Sequence, residues 1–131
     1  MNKNFQHGQI TASILQAFYT VYNALGHGFL EKVYENAMVK ELSDMGLKVS
    51  QQQGIKVYYK GIQVGYYVPD LLVENLVVAE LKASASICEN HEAQLVNCLK
   101  ASENEVGLLL NFGIRPEFKR KAFANEFKKL R

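Results

Sequence analysis

Val106-Gly107-Leu108-Leu109-Leu110-Asn111-Phe112 is a seven-residue run in which only Asn111 is polar. It lacks the alternation of a half-exposed strand and is short for a helix. Such a run marks a strand buried on both faces, the kind found inside sheets that are covered by helices on each side. A chain that carries one must supply enough other elements to bury it. At 131 residues this chain is expected to do so as one domain, residues 1–131, around a single core.

The other elements can be read from changes of period. Ile10, Ile14, Phe18, Val21 and Leu25 share one face of a helix over about residues 9–25. Gly26-His27-Gly28 then kinks or breaks the chain. A second helix over about 29–45 turns Leu30, Val33, Ala37, Met38, Leu42 and Met45 inward, with Gly46 placed as its C-terminal cap. From Ile55 the composition becomes β-branched and aromatic. Four segments, Ile55–Tyr59, Ile62–Val68, Asp70–Val73 and Leu76–Lys82, read as an antiparallel meander, with turns at Lys60-Gly61 and Asn75. Gly65 and Pro69 read as irregularities within it. A loop, a helix over Glu89–Ala101, the buried strand, and a last strand over Phe118–Phe123 complete the chain, with Phe127 and the final lysines as a short helix or tail. This order predicts a layered α/β domain.

Within that layout, Asp70, Glu80 and Lys82 stand out. Residues two apart on a strand point the same way, so Glu80 and Lys82 share a face, and a hairpin at Asn75 brings Asp70 close to them. Two carboxylates and one amine on a sheet face are costly unless a cation offsets them. Hard oxygen donors suit Mg²⁺ or Mn²⁺. A lysine beside such an ion can hold an attacking water or a phosphate oxygen, which is the equipment of metal-assisted phosphodiester hydrolysis. A structural salt bridge at a sheet edge is the plainer reading of the same three residues.

Pro69-Asp70 followed by Glu80-Leu81-Lys82 resembles the signature of the PD-(D/E)xK nuclease superfamily. Gly28-Phe29-Leu30-Glu31-Lys32-Val33-Tyr34 reads G-x-x-E-x-x-Y, and the chain is similar, from about Thr11 to Lys121, to the small bacterial GxxExxY proteins assigned to that superfamily. His91-Glu92-Ala93-Gln94 and Val106–Phe112 also look like that family. The resemblance implies a restriction-endonuclease-like three-layer domain, with a central mixed β-sheet flanked by helices. It implies that Asp70 and Glu80 supply metal oxygens with the Leu81 carbonyl, that Lys82 orients or deprotonates water or offsets charge on the phosphate, and that Glu31 reaches the metal directly or through water. Tyr34 would orient a carboxylate or simply pack. Gln94 would contact phosphate, lysine or a metal water. A related branch carries Q-x-x-x-Y in this helix, whereas the residue four after Gln94 here is Cys98. That departure removes a ring able to stack a base. His91 would line the same cleft or lie on the surface.

The implied activity is metal-dependent nuclease action, with DNA as the expected substrate, Mg²⁺ or Mn²⁺ as cofactor, and 5′-phosphate and 3′-hydroxyl products. The rival is a catalytically inactive nucleic-acid-binding or assembly module that retains the nuclease fold. From Arg115 to Arg131 there are seven basic and two acidic residues, while the whole chain is only +2. Lys119, Arg120 and Lys121 are therefore candidates for nucleic-acid contact, or else a solvated terminal segment. Cys88, His91 and Cys98 give three ligands at poor spacing for zinc. Two cysteines, no long apolar run and an amino terminus without an apolar h-region suggest a cytoplasmic protein without a membrane role. A homodimer or a partner protein would widen the small surface of such a domain.

Overall fold

The computed structural model describes residues 6–128. Helix α1 spans Gly8–Leu25 and α2 Glu31–Asp44. Seven strands follow: β1 Val49–Gln51, β2 Ile55–Tyr59, β3 Ile62–Tyr67, β4 Leu71–Val73, β5 Val77–Lys82, β6 Val106–Phe112 and β7 Pro116–Ala122. Helix α3, Glu89–Ala101, links β5 to β6, and a 3-10 turn covers Asn125–Phe127. The amino-terminal Met1–Phe5 and the last three residues, among them Lys129 and Arg131 of the basic stretch, lie outside the described residues.

Five strands form one sheet in the order β1-β4-β5-β6-β7. Only the β5–β6 pair is parallel. A parallel pair needs a crossover, and α3 supplies it. Every residue of β6 is buried, as its composition requires. Its even-numbered residues, Val106, Leu108, Leu110 and Phe112, join Leu71, Val73, Val77, Ala79 and Leu81 under α1 and α2. On the other face Leu109 packs with Val78, Leu95, Cys98 and Leu99 beneath α3. The result is the mixed sheet between helical layers of a restriction-endonuclease-like α/β fold.

Asn111, the polar member of β6, is fully buried yet satisfied. Its Nδ2 donates to the Ser84 carbonyl at 3.0 Å, and its Oδ1 accepts from the Ser84 amide at 3.0 Å. This clamp fixes the chain just past Lys82, and a side chain at the adjacent Gly113 would collide with the Ser84 carbonyl.

The meander does not form as one sheet. Its second half holds: β4 and β5 make a hairpin whose turn residues Glu74 and Asn75 both have positive φ, 55° and 57°, as a tight twisted hairpin turn requires. The first half separates. Strands β2 and β3 pair only with each other, as a two-stranded ribbon. Pro69, which has no amide to donate, stands at the break between β3 and β4. The free edge of β4 is taken instead by β1, a strand absent from the sequence-based layout, with Val49 opposite Val73. The ribbon's irregularity lies between Val57 and Tyr58, where β2 and β3 shift register.

Helix α2 also departs from expectation. It begins at Glu31, and Leu30 and Val33 point to solvent, 80% and 39% exposed. The buried positions are Tyr34, Glu35, Met38 and Leu42. The apolar residues of the first turn misled because the helix faces the sheet through Tyr34. That ring stacks on Phe112 at 4.2 Å between centroids, and Phe112 in turn meets Phe18 edge-on at 4.8 Å. The Tyr34 hydroxyl donates to the Gly26 carbonyl at 2.6 Å and accepts from the Phe29 amide at 3.2 Å. Of its two expected roles Tyr34 takes packing, and it also ties down the Gly26–Phe29 break, where Gly26 and Gly28 have φ of 69° and 107°.

Tyr34→Phe keeps the ring and removes both bonds. It should destabilise the fold by about 1–3 kcal/mol, because a partly buried carbonyl and amide lose their partner. A urea midpoint measured beside wild type checks this, and an unchanged midpoint would mean water replaces the hydroxyl without cost.

Candidate active site

Asp70 directly precedes Leu71, whose partner on β5 is Ala79, so it stands opposite Glu80. The two acids are locked through the backbone. The Asp70 amide donates to Glu80 Oε1 at 3.1 Å, and the Leu81 amide donates to Asp70 Oδ2 at 2.8 Å. Glu80 and Lys82 lie on the α3 face of β5, the face of Val78. Continuing the same row across the sheet, Glu80 pairs with Leu109 and Leu109 with Lys119. Strands are about 4.8 Å apart, so the Lys119 backbone lies on the order of 10 Å from that of Glu80, on the same face.

Glu80 is almost entirely buried. Burial first, and the charge of Asp70 second, push its carboxyl up to about 8. The bond from the Asp70 amide and the charge of Lys82 offset part of that rise. Tyr67 comes from the end of β3 and packs against Leu95, Cys98 and Leu99 of α3. Its phenol is raised by burial and then by Glu80. Cys98 is likewise pushed up to about 12, mainly by burial, so it is a neutral packing thiol here. Cys98 stands where the related branch carries a tyrosine, and a phenol still reaches the site, delivered by a different element. Only the aromatic pair Tyr66-Tyr67 just ahead of Pro69-Asp70 hinted at this in the sequence.

Behind Asp70 lies a second acid that sequence reasoning missed. Glu35 is buried on α2. It accepts from Lys32 Nζ at 2.9 Å, Gln51 Nε2 at 2.8 Å and Gln52 Nε2 at 2.9 Å. The Gln52 amide group also reaches Asp70 Oδ1 at 3.4 Å, and its backbone amide donates to the Asp70 carbonyl at 3.2 Å. Glu35 thus connects to Asp70 through one side chain. Glu31, by contrast, is exposed in the first turn of α2, and no hydrogen bond or ion pair joins it to Asp70 or Glu80. Gln94 is exposed on α3, one turn before Cys98. His91 is half-buried and caps its own helix by accepting from the Cys88 amide at 3.4 Å. Among the three basic candidates, Arg120 donates to the Gln6 carbonyl at 2.9 Å, and Lys121 pairs with Glu92 at 2.7 Å, which holds that carboxyl below its usual range. Lys119 is exposed.

Among the described residues, no cluster of three His, Cys, Asp or Glu side chains suits a metal. The Asp70–Glu80 pair brings two carboxylates together. That donor set fits Mg²⁺ or Mn²⁺, which are commonly held by one or two carboxylates while keeping several waters.

A family model of the PD-(D/E)XK nuclease superfamily matches residues 8–121. The chain belongs to that superfamily. Members are nucleases that generally use divalent metals and act on nucleic acid, and the matched span takes in Asp70, Glu80 and Lys82. A solved structure described as "Crystal structure of SSO0001" superposes with a TM-score of 0.54 at 16% identity. The match covers 71% of this chain and 50% of that one, so this chain spans about half that protein's length, and the likeness is one of fold. No curated protein matches the chain. Among the described residues, no helix is long and apolar enough to cross a membrane.

The elevated Glu80 carboxyl links stability to pH. Between its unperturbed value of 4.5 and about 8, the folded protein keeps a proton that the unfolded chain releases. Metal-free protein should therefore lose stability as pH rises through that window and level off above it. Glu80→Gln should flatten the decline and melt higher than wild type at pH 8 and above. Thermal melts in a chelator between pH 4.5 and 9 measure both, and parallel curves for the two proteins would refute the assignment.

Proposed function

We propose that this chain is a metal-dependent nuclease that hydrolyses phosphodiester bonds, with DNA as the preferred substrate and Asp70, Glu80 and Lys82 as its catalytic set. The observation that carries the reading is the Asp70–Glu80 lock, in which two acids are held together on one face at an energetic cost that a bound dication relieves. Mg²⁺ or Mn²⁺ held there would polarise a phosphoryl oxygen and acidify a bound water. Asp70 is positioned by the Leu81 amide and by Gln52, so its carboxylate arrives preset. Tyr67 packs into the cluster on the Glu80 face of the sheet. Lys82, one residue beyond Leu81 and on the Glu80 face, would orient the attacking water or offset charge on the pentacovalent phosphate. The G-x-x-E-x-x-Y motif supports a place among the GxxExxY proteins. Glu31 would then act at longer range, through water or on the substrate, and Gln94 would meet the substrate at the helix surface.

Labelled DNA and RNA strands incubated with Mg²⁺ or Mn²⁺ test this directly. Lys82→Ala should reduce cleavage by about 10²-fold or more while leaving substrate binding near wild type. Asp70→Asn should lose cleavage together with the rise in melting temperature that millimolar metal gives wild type. Wild-type cleavage by Lys82→Ala would remove these residues from the chemistry.

The basic edge strand gives a separate test. Lys119, in the same row as Glu80, should carry a phosphate, whereas Arg120 and Lys121 are engaged with Gln6 and Glu92. Lys119→Ala should flatten the log–log dependence of affinity on salt by roughly one unit. A slope equal to that of wild type would leave Lys119 a solvated edge residue.

A further inference from the structure

The β2–β3 ribbon stands apart from the main sheet and is unusual on its outside. Ile62, Val64 and Tyr66 alternate along β3 and are 66%, 64% and 60% exposed in the order Ile62, Tyr66, Val64. Tyr58 and Tyr59 are exposed on β2. Neither helix layer covers these side chains. The charge carried by this segment of the chain has one sign. From Met45 to Pro69 there is no aspartate or glutamate, but there are three lysines, Lys48, Lys56 and Lys60. Lys56 is the cross-strand partner of Tyr66, and Lys60 Nζ lies 5.4 Å from the centre of the Tyr59 ring. A surface meant for another protein's apolar face gains little from lysines set among its rings. A polyanion that carries flat bases gains from both.

Two further observations point to a ligand. The Tyr66 ring lies across Gly54, the residue before β2, so closely that a Cβ there would overlap its hydroxyl end, while most of the ring faces solvent. Lys56 and Tyr58 also form one wall of an open cleft of about 410 Å³, whose far wall is the end of α3 at Ala101, Ser102 and Asn104, with Glu103 beside them. That volume falls in the range of small-ligand clefts. The ribbon is also continuous with the acidic site, because Tyr67, the residue after Tyr66, packs against the cluster of Val78, which shares a face of β5 with Glu80.

We infer that the β2–β3 ribbon is the arm that grips the substrate: Tyr58 and Tyr66, on the face of Lys56, stack unpaired bases while Lys56 and Lys60 carry the phosphates, so the preferred ligand is a single-stranded or splayed nucleic acid. Stacking on aromatic side chains is tolerant of base identity and is the usual means of holding single strands. The inference deepens the nuclease reading by naming its substrate class, but it predicts binding that needs no cleavage.

The experiment uses the whole chain in a chelator, with three end-labelled probes followed by fluorescence anisotropy. The probes are a single-stranded oligonucleotide, an abasic strand with the same number of phosphates, and a blunt duplex. Wild type should prefer the first. Tyr58→Ala/Tyr66→Ala should weaken binding of the base-bearing strand by about 10-fold or more and change the abasic strand by less than about 2-fold. Tyr58→Phe/Tyr66→Phe should bind like wild type, which guards against a folding artefact. Lys56→Ala/Lys60→Ala should weaken both single strands and flatten the salt dependence by about 0.7 log units per lost contact. Equal loss of both strands in the tyrosine-to-alanine protein, no loss in either, or a preference for the duplex would each overturn the inference. So would loss of self-association in that protein with oligonucleotide binding intact, which would mark the ribbon as a protein contact. The two readings fail separately. Base-dependent binding without cleavage when Mg²⁺ or Mn²⁺ is supplied keeps the arm and removes the nuclease. Cleavage and binding both indifferent to the tyrosines keep the nuclease and remove the arm.

Discussion

Because β6 buries all seven of its residues, it needs a hydrogen-bonded neighbour on each side and a helical layer on each face. Strand β7 satisfies one side as a simple hairpin. The other side is taken by β5 in parallel, which obliges the chain to cross over through α3. That crossover puts α3 on the face of Glu80 and Lys82 and leaves α1 and α2 for the other. The acids consequently sit where β4 and β5 run out beside the crossover, a region that the sheet itself cannot cover. On the α3 face Tyr67 packs against the cluster that holds Cys98, and burial raises the Glu80 carboxyl.

Much of this was legible in the sequence, and the parts that were not have physical reasons. The apolar run of β6, the period of α1 and α3, and the same-face spacing of Glu80 and Lys82 are strong local signals. The hairpin that sets Asp70 opposite Glu80 follows from the turn at Asn75. Strand β1 is only three residues long, and Val49-Ser50-Gln51 has little pattern of its own; it forms because β4 offers an edge. The ribbon was readable as two strands but not as a separate sheet, since propensity reports strand formation and not strand partnership. Helix α2 misled through Leu30 and Val33, which have the composition of a buried face at the helix's solvent end.

The supporting residues of the site were the least visible. Glu35 and Gln52 lie 17 residues apart in sequence and meet through α2 and the left-handed backbone at Gln52, where φ is 55°. No spacing rule announces such a pair. The same holds for Tyr67. A reader of motifs looks for the phenol on α3, four residues after Gln94, and finds a cysteine. The small Cys98 side chain is compatible with a ring arriving from β3, and Tyr67 packs against the cluster to which Cys98 belongs.

Tyr66 and Tyr67 are joined by a single peptide unit, about 3.8 Å between Cα atoms. One ring faces solvent on the ribbon, and the other packs into the cluster beneath α3. The exposed arm and the interior are therefore separated by one backbone step, and the buried Pro69 fixes φ two residues further on, just ahead of Asp70.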